Sequence, residues 1–266
     1  MYTPLQLGLK YARYYCTASN GKGHGIHSPF VFELVTRVLN DRTVYADYGP
    51  VETLRQQLLQ DRRVVEVDDF GAGSVTGLRR QRRVCGIARS SLKPPKYAQL
   101  LYRLVRHLQP RRILELGTSL GITTAYLAKG APGAEVVSLE GAPAVAKLAA
   151  ANLAALQADN TAIVSGNFDS TLAQVLAANA LPFDFVFVDG NHRYEPSVRY
   201  FRQLAEQAGP DTVLVFDDIH WSREMEEAWN EICSASGVRL TIDLFFIGLV
   251  FFRTEQLERE HFRIRF

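Results

Sequence analysis

From residue 111 onward the chain alternates short β-rich runs that end in an acid or a glycine with helical stretches. βαβ units around a mostly parallel sheet account for that rhythm. Residues 112–116, 136–140, 162–165, 183–189, 213–217, 239–243 and 247–253 are predicted strands, and 123–129, 143–157, 170–178, 196–207 and 222–235 the helices between them. Only Leu244 to Phe246 separates the last two strands, too little for a parallel crossover, so they pair as an antiparallel hairpin at one edge. The expectation is a doubly wound α/β domain of seven strands with the last antiparallel.

Residues 1–110 lack this rhythm. Predicted helices near 5–18, 29–39, 52–60 and 96–108, a break at NGKGHG (20–25) and a mixed stretch to 89 describe an N-terminal helical cap over 1–90, with the α/β domain over 91–266. At 266 residues, 47% apolar and 22% charged, the chain can bury a large core, and its composition excludes disorder, collagen and a coiled-coil rod. The longest apolar stretch, Leu244 to Phe252, is about half of a membrane helix, and the N-terminus lacks a signal peptide's apolar centre. Cys16, Cys85 and Cys233 form no CxxC, so neither a disulfide framework nor a thiolate zinc site is expected, and a reducing cytoplasm is. The net charge of +2 hides an asymmetry: residues 1–112 hold 19 Lys and Arg against 8 Asp and Glu, residues 113–266 hold 11 against 20. Two lobes that attract each other, or a basic surface for an anionic partner, would both account for it, and the first is favoured.

The strongest motif is ILELGTSLGITT (113–124), a buried strand, an acid, a glycine turn and a helix start. Gly117 and Gly121 let the backbone approach a ligand, and the helix presents free N–H groups to it. Glu140 ends the next strand 23 residues past Gly117, where a carboxylate can accept both hydroxyls of a ribose. Dinucleotide binding expects G-x-G-x-x-G to seat a pyrophosphate. Here the turn is G-x-x-x-G with Glu115 two residues before it, which repels phosphate and suits a cationic nucleoside.

On these residues the chain, over about 85–253, resembles the class I S-adenosylmethionine-dependent methyltransferases, whose E/D-x-G-x-G-x-G motif corresponds to Glu115, Gly117, Ser119 and Gly121, with Ser119 in place of the middle glycine. The resemblance implies strand order 3-2-1-4-5-7-6. It also implies the methionine part of S-adenosylmethionine near Glu115, Gly117, Thr118, Ser119 and Gly121, the ribose at Glu140, and the adenine near Asn167 and Phe168. Ser91 would cover the cofactor's carboxylate. Asn167 and Phe168 also read as a helix N-cap and a core aromatic. A look-alike at VVEVDDFGAGS (64–74) is rejected, because no helix-length periodic segment follows and 79–89 holds no acid for a ribose.

FVFVDGNHRY (185–194) and VLVFDDIHW (213–221) end the fourth and fifth strands, neighbours in the implied order. Asp189, Asp217 and Asp218 would converge there, and carboxylates so close call for a hard divalent cation such as Mg²⁺, which can hold and acidify a substrate hydroxyl. This half resembles the catechol and caffeoyl-coenzyme A type of metal-dependent O-methyltransferase, and the cephalosporin hydroxylase-like and sugar O-methyltransferase groups with Asp-x-x-His after strand four. His192 stands where the catechol type has a lysine base, and a histidine preserves that role. Asp218 stands where the final metal ligand is commonly Asn, which makes this site more acidic. Asp189 and Asp217 each alone also read as a cap on the helix or loop that follows, Asp218 as a solvated neighbour, His192 as a turn hydrogen bond, and His220 with Trp221 as a plug in the pocket floor or wall.

The basic run RRQRR (79–83) lacks interleaved aromatics, so a solvated face is favoured over a nucleic-acid surface. The alternating tail 255–266 reads as an edge strand, in this chain or across a homodimer. The expected activity is methyl transfer to a hydroxyl oxygen of a small molecule, with no membrane partner. The alternatives are a nucleic-acid methyltransferase using the basic half, a nicotinamide-dependent oxidoreductase and a cofactor-binding module without catalysis.

Overall fold

The computed structural model describes residues 1–68, 79–178, 181–255 and 258–266. It divides into two compact units, Arg42–Leu181, and Met1–Asp41 together with Pro182–Phe266, so the first 90 residues are shared between them.

Arg42–Leu181 begins with α1 (Tyr48–Gln60), β1 (Val64–Asp68), β2 (Arg79–Arg83), α2 (Val84–Ser91) and α3 (Pro95–Leu108). The strands β3 (Arg112–Leu116), β4 (Glu135–Glu140) and β5 (Thr161–Ser165) follow, with α4 (Ile122–Gly130) and α5 (Pro143–Ala155) between them and α6 (Phe168–Ala178) after. These three are the first, second and third expected strands, and they pair in parallel in the expected 3-2-1 order, β5-β4-β3. Leu116 is paired with Leu139, and Glu140 with Ser165, so all three carboxyl ends finish level. β3 is buried from Ile113 to Leu116 and α4 is buried at every position but Lys129, which makes this helix the core of the unit. Tyr48 of α1 and Tyr102 of α3 pack edge to face against each other and against Tyr126 of α4, and the hydroxyls of Tyr102 and Tyr126 are satisfied by Asp47 (2.9 Å) and Glu52 (2.7 Å). The mixed stretch to 89 holds the antiparallel pair β1 and β2, which is not legible in the sequence because RRQRR carries no strand signal until it meets the valines of 64–68. Asp69 to Ser74 of the look-alike, with Gly71 and Gly73, lie outside the described residues.

The other unit joins the N-terminal helices α7 (Pro4–Thr17) and α8 (Pro29–Leu34) to β6 (Phe185–Val188), α9 (Tyr194–Ala205), β7 (Val213–Asp217), α10 (Arg223–Ser234), β8 (Leu240–Asp243), β9 (Ile247–Phe251) and β10 (Glu260–Arg263). Thr3 and Gln6 form a capping box ahead of Pro4 at the first helical position of α7. The helix expected over 29–39 is present, but its last turn, Val35–Leu39, widens to a π turn because the Asn40 amide and side chain both take the Val35 carbonyl. β6 and β7 are parallel, and β9 runs antiparallel to both β7 and β8, which gives the expected 4-5-7-6 order. β10 adds an eighth strand to the seven expected, parallel to β8, so the tail is an edge strand of its own chain. Tyr14 pins α7 to this edge by donating its buried hydroxyl to the Asp243 and Ile264 carbonyls. Among the described residues no helix is long and apolar enough to cross a membrane.

Gly248 of β9 lies under Trp229 of α10, where an added Cβ would stand 2.5 to 2.9 Å from three ring atoms. Gly248→Ala therefore overpacks the helix–sheet contact and should destabilise by about 1–3 kcal/mol in urea unfolding. Wild-type stability would show that α10 yields freely.

Candidate active site

In Arg42–Leu181 the level carboxyl ends of the strands bring the nucleoside motif together. The Gly117 and Thr118 amides both donate to the Leu139 carbonyl, at 3.0 and 3.1 Å, and so seat the turn on β4. Gly117 (φ 110°), Ser119 (φ 48°) and Gly121 (φ 81°) all have left-handed backbones. At Gly121 a Cβ would meet Ala149 and Leu153 of α5 at 3.4 Å, so the residue answers both the conformation and the packing. Ser119 adopts a conformation that glycine usually takes, and its compensation is visible: its amide donates to Glu140 Oε2 at 2.8 Å and its hydroxyl meets Ser91 Oγ at 2.7 Å. Ser91 Oγ also donates to the Ile87 carbonyl at 2.8 Å, so Ser119 is the donor in the serine pair. The second oxygen of Glu140 accepts the Ala142 amide at 2.9 Å. Burial raises the Glu140 pKa, and the amides of Ala142, Ser119 and Gly141 counter that shift.

Glu115 has a different place from the wall contact expected of it. It is fully buried behind the turn, where its Oε2 accepts the hydroxyls of Ser138 (2.6 Å) and Thr124. With the Ser138 proton committed there, Thr118 Oγ1 donates to Ser138 Oγ. The acid thus orients the turn through a hydroxyl chain. Ser138, a polar residue in the middle of the buried strand β4, was the sequence signal for this and went unread. Past β5 the Gly166 amide donates to the Glu140 carbonyl at 2.9 Å, which sets Asn167 beside Glu140. Asn167 is exposed and caps α6: its Oδ1 accepts the Asp169 amide, and its carbonyl the Ser170 and Thr171 amides. Phe168, half-buried, opens that helix.

In the other unit the pairing of Val188 with Phe216 carries Asp189 and Asp217 to the ends of adjacent strands. Asp189, His192 and Asp217 each offer one ligand atom, all within 4.8 Å of one another. His192 Nε2 lies 3.4 Å from Asp189 Oδ1. Burial disfavours the imidazolium, but the Asp189 hydrogen bond and the fields of Asp189, Asp217 and Asp218 outweigh it and raise the His192 pKa to about 9. Asp218 stands outside this group of donors; its backbone is left-handed (φ 54°) and its amide donates to the Phe246 carbonyl at 2.6 Å. The donor set fits a divalent cation: two carboxylates and an imidazole suit Mn²⁺ or Zn²⁺, and two carboxylates with water suit Mg²⁺. His220, read from sequence as a wall residue, instead bridges Glu226 and Asp243.

Comparison with known proteins agrees with this frame. Residues 114–219 match the family described as "Methyltransferase domain". The chain is 37% identical over 123 residues to a catechol O-methyltransferase of Mycobacterium tuberculosis, covering 46% of this chain and 54% of the relative. It is 30% identical over 127 residues to one of Niastella koreensis, covering 47% and 57%. It thus spans about half the length of the curated relatives it matches. Among solved structures, the O-methyltransferase from Bacillus cereus in complex with SAH superposes with a TM-score of 0.56 at 20% identity, over 84% of this chain and 97% of the other, a likeness of fold. Residues 114–219 therefore match a methyltransferase domain, and the chain shares its α/β fold with a solved O-methyltransferase, in line with the resemblance read from the glycine turn.

Proposed function

We propose that the chain is an S-adenosylmethionine-dependent O-methyltransferase acting on a hydroxyl of a small molecule, with a divalent cation on the acceptor side. The observation that carries this is the left-handed turn from Gly117 to Gly121 locked onto Glu140, a cradle for a nucleoside with no seat for a pyrophosphate. The Ser119 and Ala142 amides fix the Glu140 carboxylate through one oxygen each, and that carboxylate takes the ribose hydroxyls. Ser119 and Ser91 face the methionine carboxylate, Thr118 and the glycines line the turn, Asn167 and Phe168 flank the adenine, and Glu115 holds the turn from behind. When bound, S-adenosylmethionine supplies an electrophilic methyl on a sulfonium. The chain's contribution is to hold the donor in line and to generate the oxyanion, since methyl transfer needs little covalent help.

Asp189 and Asp217 would hold the cation, with Asp218 adding its negative field from the next position, and a cation there would lower the pKa of an acceptor hydroxyl. His192 then takes the hydroxyl proton. A base must be neutral to do so, and at neutral pH His192 carries its proton while the carboxylates stand unneutralised. The charge on a cation offsets those fields and frees the ring. A second reading has an observation of its own: His192 lies within the donor group and so can be a ligand itself.

S-adenosylmethionine or its demethylated product should raise the melting temperature, and NAD and NADP should not; stabilisation by NAD alone would sink the proposal. Glu140→Ala should weaken cofactor binding by about 1.5–3 kcal/mol, read by calorimetry, through loss of charge-assisted bonds to the ribose.

Calorimetry with cofactor present should detect Mg²⁺ or Mn²⁺, and Asp189→Ala and Asp217→Ala should each abolish that binding without unfolding the chain. Asp218→Asn should be milder, since Asp218 lies outside the donor group and the change removes only its field. His192→Ala should lower turnover roughly 10²–10⁴-fold with cation affinity kept if the residue is the base. Loss of cation affinity in that variant would make it a ligand instead. Methylation untouched by EDTA would remove the cation from the mechanism.

A further inference from the structure

Beyond Asp217 and Asp218 the chain turns through Ile219, His220 and Trp221 to Ser222, which caps α10 by accepting the Met225 amide. The corner is tight. Asp218 is left-handed, its carbonyl accepts the Trp221 amide at 2.9 Å, and nothing in its own side-chain type favours that backbone as strongly as glycine would. Such a conformation persists where the surroundings hold it.

His220 is placed to do so. Its Nδ1 lies 3.1 Å from Glu226 Oε1 on α10 and its Nε2 2.9 Å from Asp243 Oδ2 at the end of β8. The ring stacks on Phe245 at 5.1 Å and 29°. Both carboxylates are themselves held. Glu226 accepts the Tyr2 hydroxyl at 2.6 Å and the Lys10 ammonium at 2.9 Å, with Lys10 over the Tyr2 ring at 4.4 Å. Asp243 Oδ1 accepts the Phe245 amide at 2.8 Å, and Arg263 Nε stands 3.5 Å from Oδ2. The Tyr2 amide closes the frame by donating to the Trp221 carbonyl at 3.1 Å. Both ring nitrogens of one imidazole therefore join α10 to β8 across the corner. Without that ring, Glu226 and the buried Asp243 would lose the partner they share.

We infer that His220 is a positioning residue for the Asp217–Asp218 corner, and that Tyr2 and Lys10, acting through Glu226, make the N-terminal segment part of that support. The corner's chemical meaning rests on the proposed cation and acceptor role, so the experiment reads the corner in two independent ways. Hydrogen exchange follows the Asp218 and Trp221 amides, and calorimetry follows Mn²⁺, with the demethylated cofactor as a control on the glycine turn. His220→Ala should speed exchange over 217–222 and weaken Mn²⁺ roughly 10–100-fold, the usual loss when a residue orienting a ligand is removed, at nearly unchanged cofactor affinity. Lys10→Met should do the same more weakly. His220→Gln, which keeps a donor toward one carboxylate, should recover part of both. Wild-type exchange in His220→Ala and Lys10→Met would overturn the inference. Should the wild-type protein bind no Mn²⁺, the cation reading fails by itself, and faster exchange in His220→Ala still sustains the positioning role while unchanged exchange ends it. If His220→Ala does not fold, His220→Gln and Lys10→Met are judged by the same exchange criterion.

Discussion

Two amides on one carbonyl organise the nucleoside half of this protein. The Gly117 and Thr118 N–H groups both reach the Leu139 oxygen, and that single acceptor transfers the register of β3 and β4 to the turn that follows. Once the turn is seated, the Ser119 amide falls on Glu140, and Glu140 through its own carbonyl receives Gly166 from the next strand. Three loops distant in sequence are thus joined at one edge by backbone groups that would otherwise go unsatisfied. The buried Glu115 supports the arrangement from below: an unpaired carboxylate there would be costly, so the Ser138 and Thr124 hydroxyls that satisfy it are held in place, and with them the turn.

The acid half follows an opposite logic. Asp189, His192 and Asp217 meet because parallel pairing leaves Val188 and Phe216 level, and Asp218 adds its field from the next position. Concentrated negative charge calls for a positive partner. Within the chain the nearest is His192, whose proton the acids hold up to about pH 9. A divalent cation at the same donors would compete for that role. A charge-dense loop needs external restraint, and the Glu226, His220 and Asp243 bridge provides it from the two elements that flank the corner.

Hydrophobic runs that end in acids, separated by amphipathic stretches, determined the strands from β3 to β9, the antiparallel turn of the last pair and the positions of Glu140, Asp189 and Asp217. All of these follow from local periodicity and from the rule that such sheets place ligands at their carboxyl ends. Tertiary structure alone decided the rest. Glu115 turned from a surface into the interior because Ser138 and Thr124, 23 and 9 residues away in sequence, offered it hydroxyls. RRQRR became a strand because a partner strand supplied the ladder. His220 acquired two carboxylates from α10 and β8, and the N-terminal segment joined Met1–Asp41 to the C-terminal strands through Tyr2, Lys10 and Tyr14. The bonds of Tyr2, Lys10 and Tyr14 join residues more than two hundred positions apart, and no periodicity records such pairings, since a hydrogen bond is set by where the folded backbone carries its donor and acceptor.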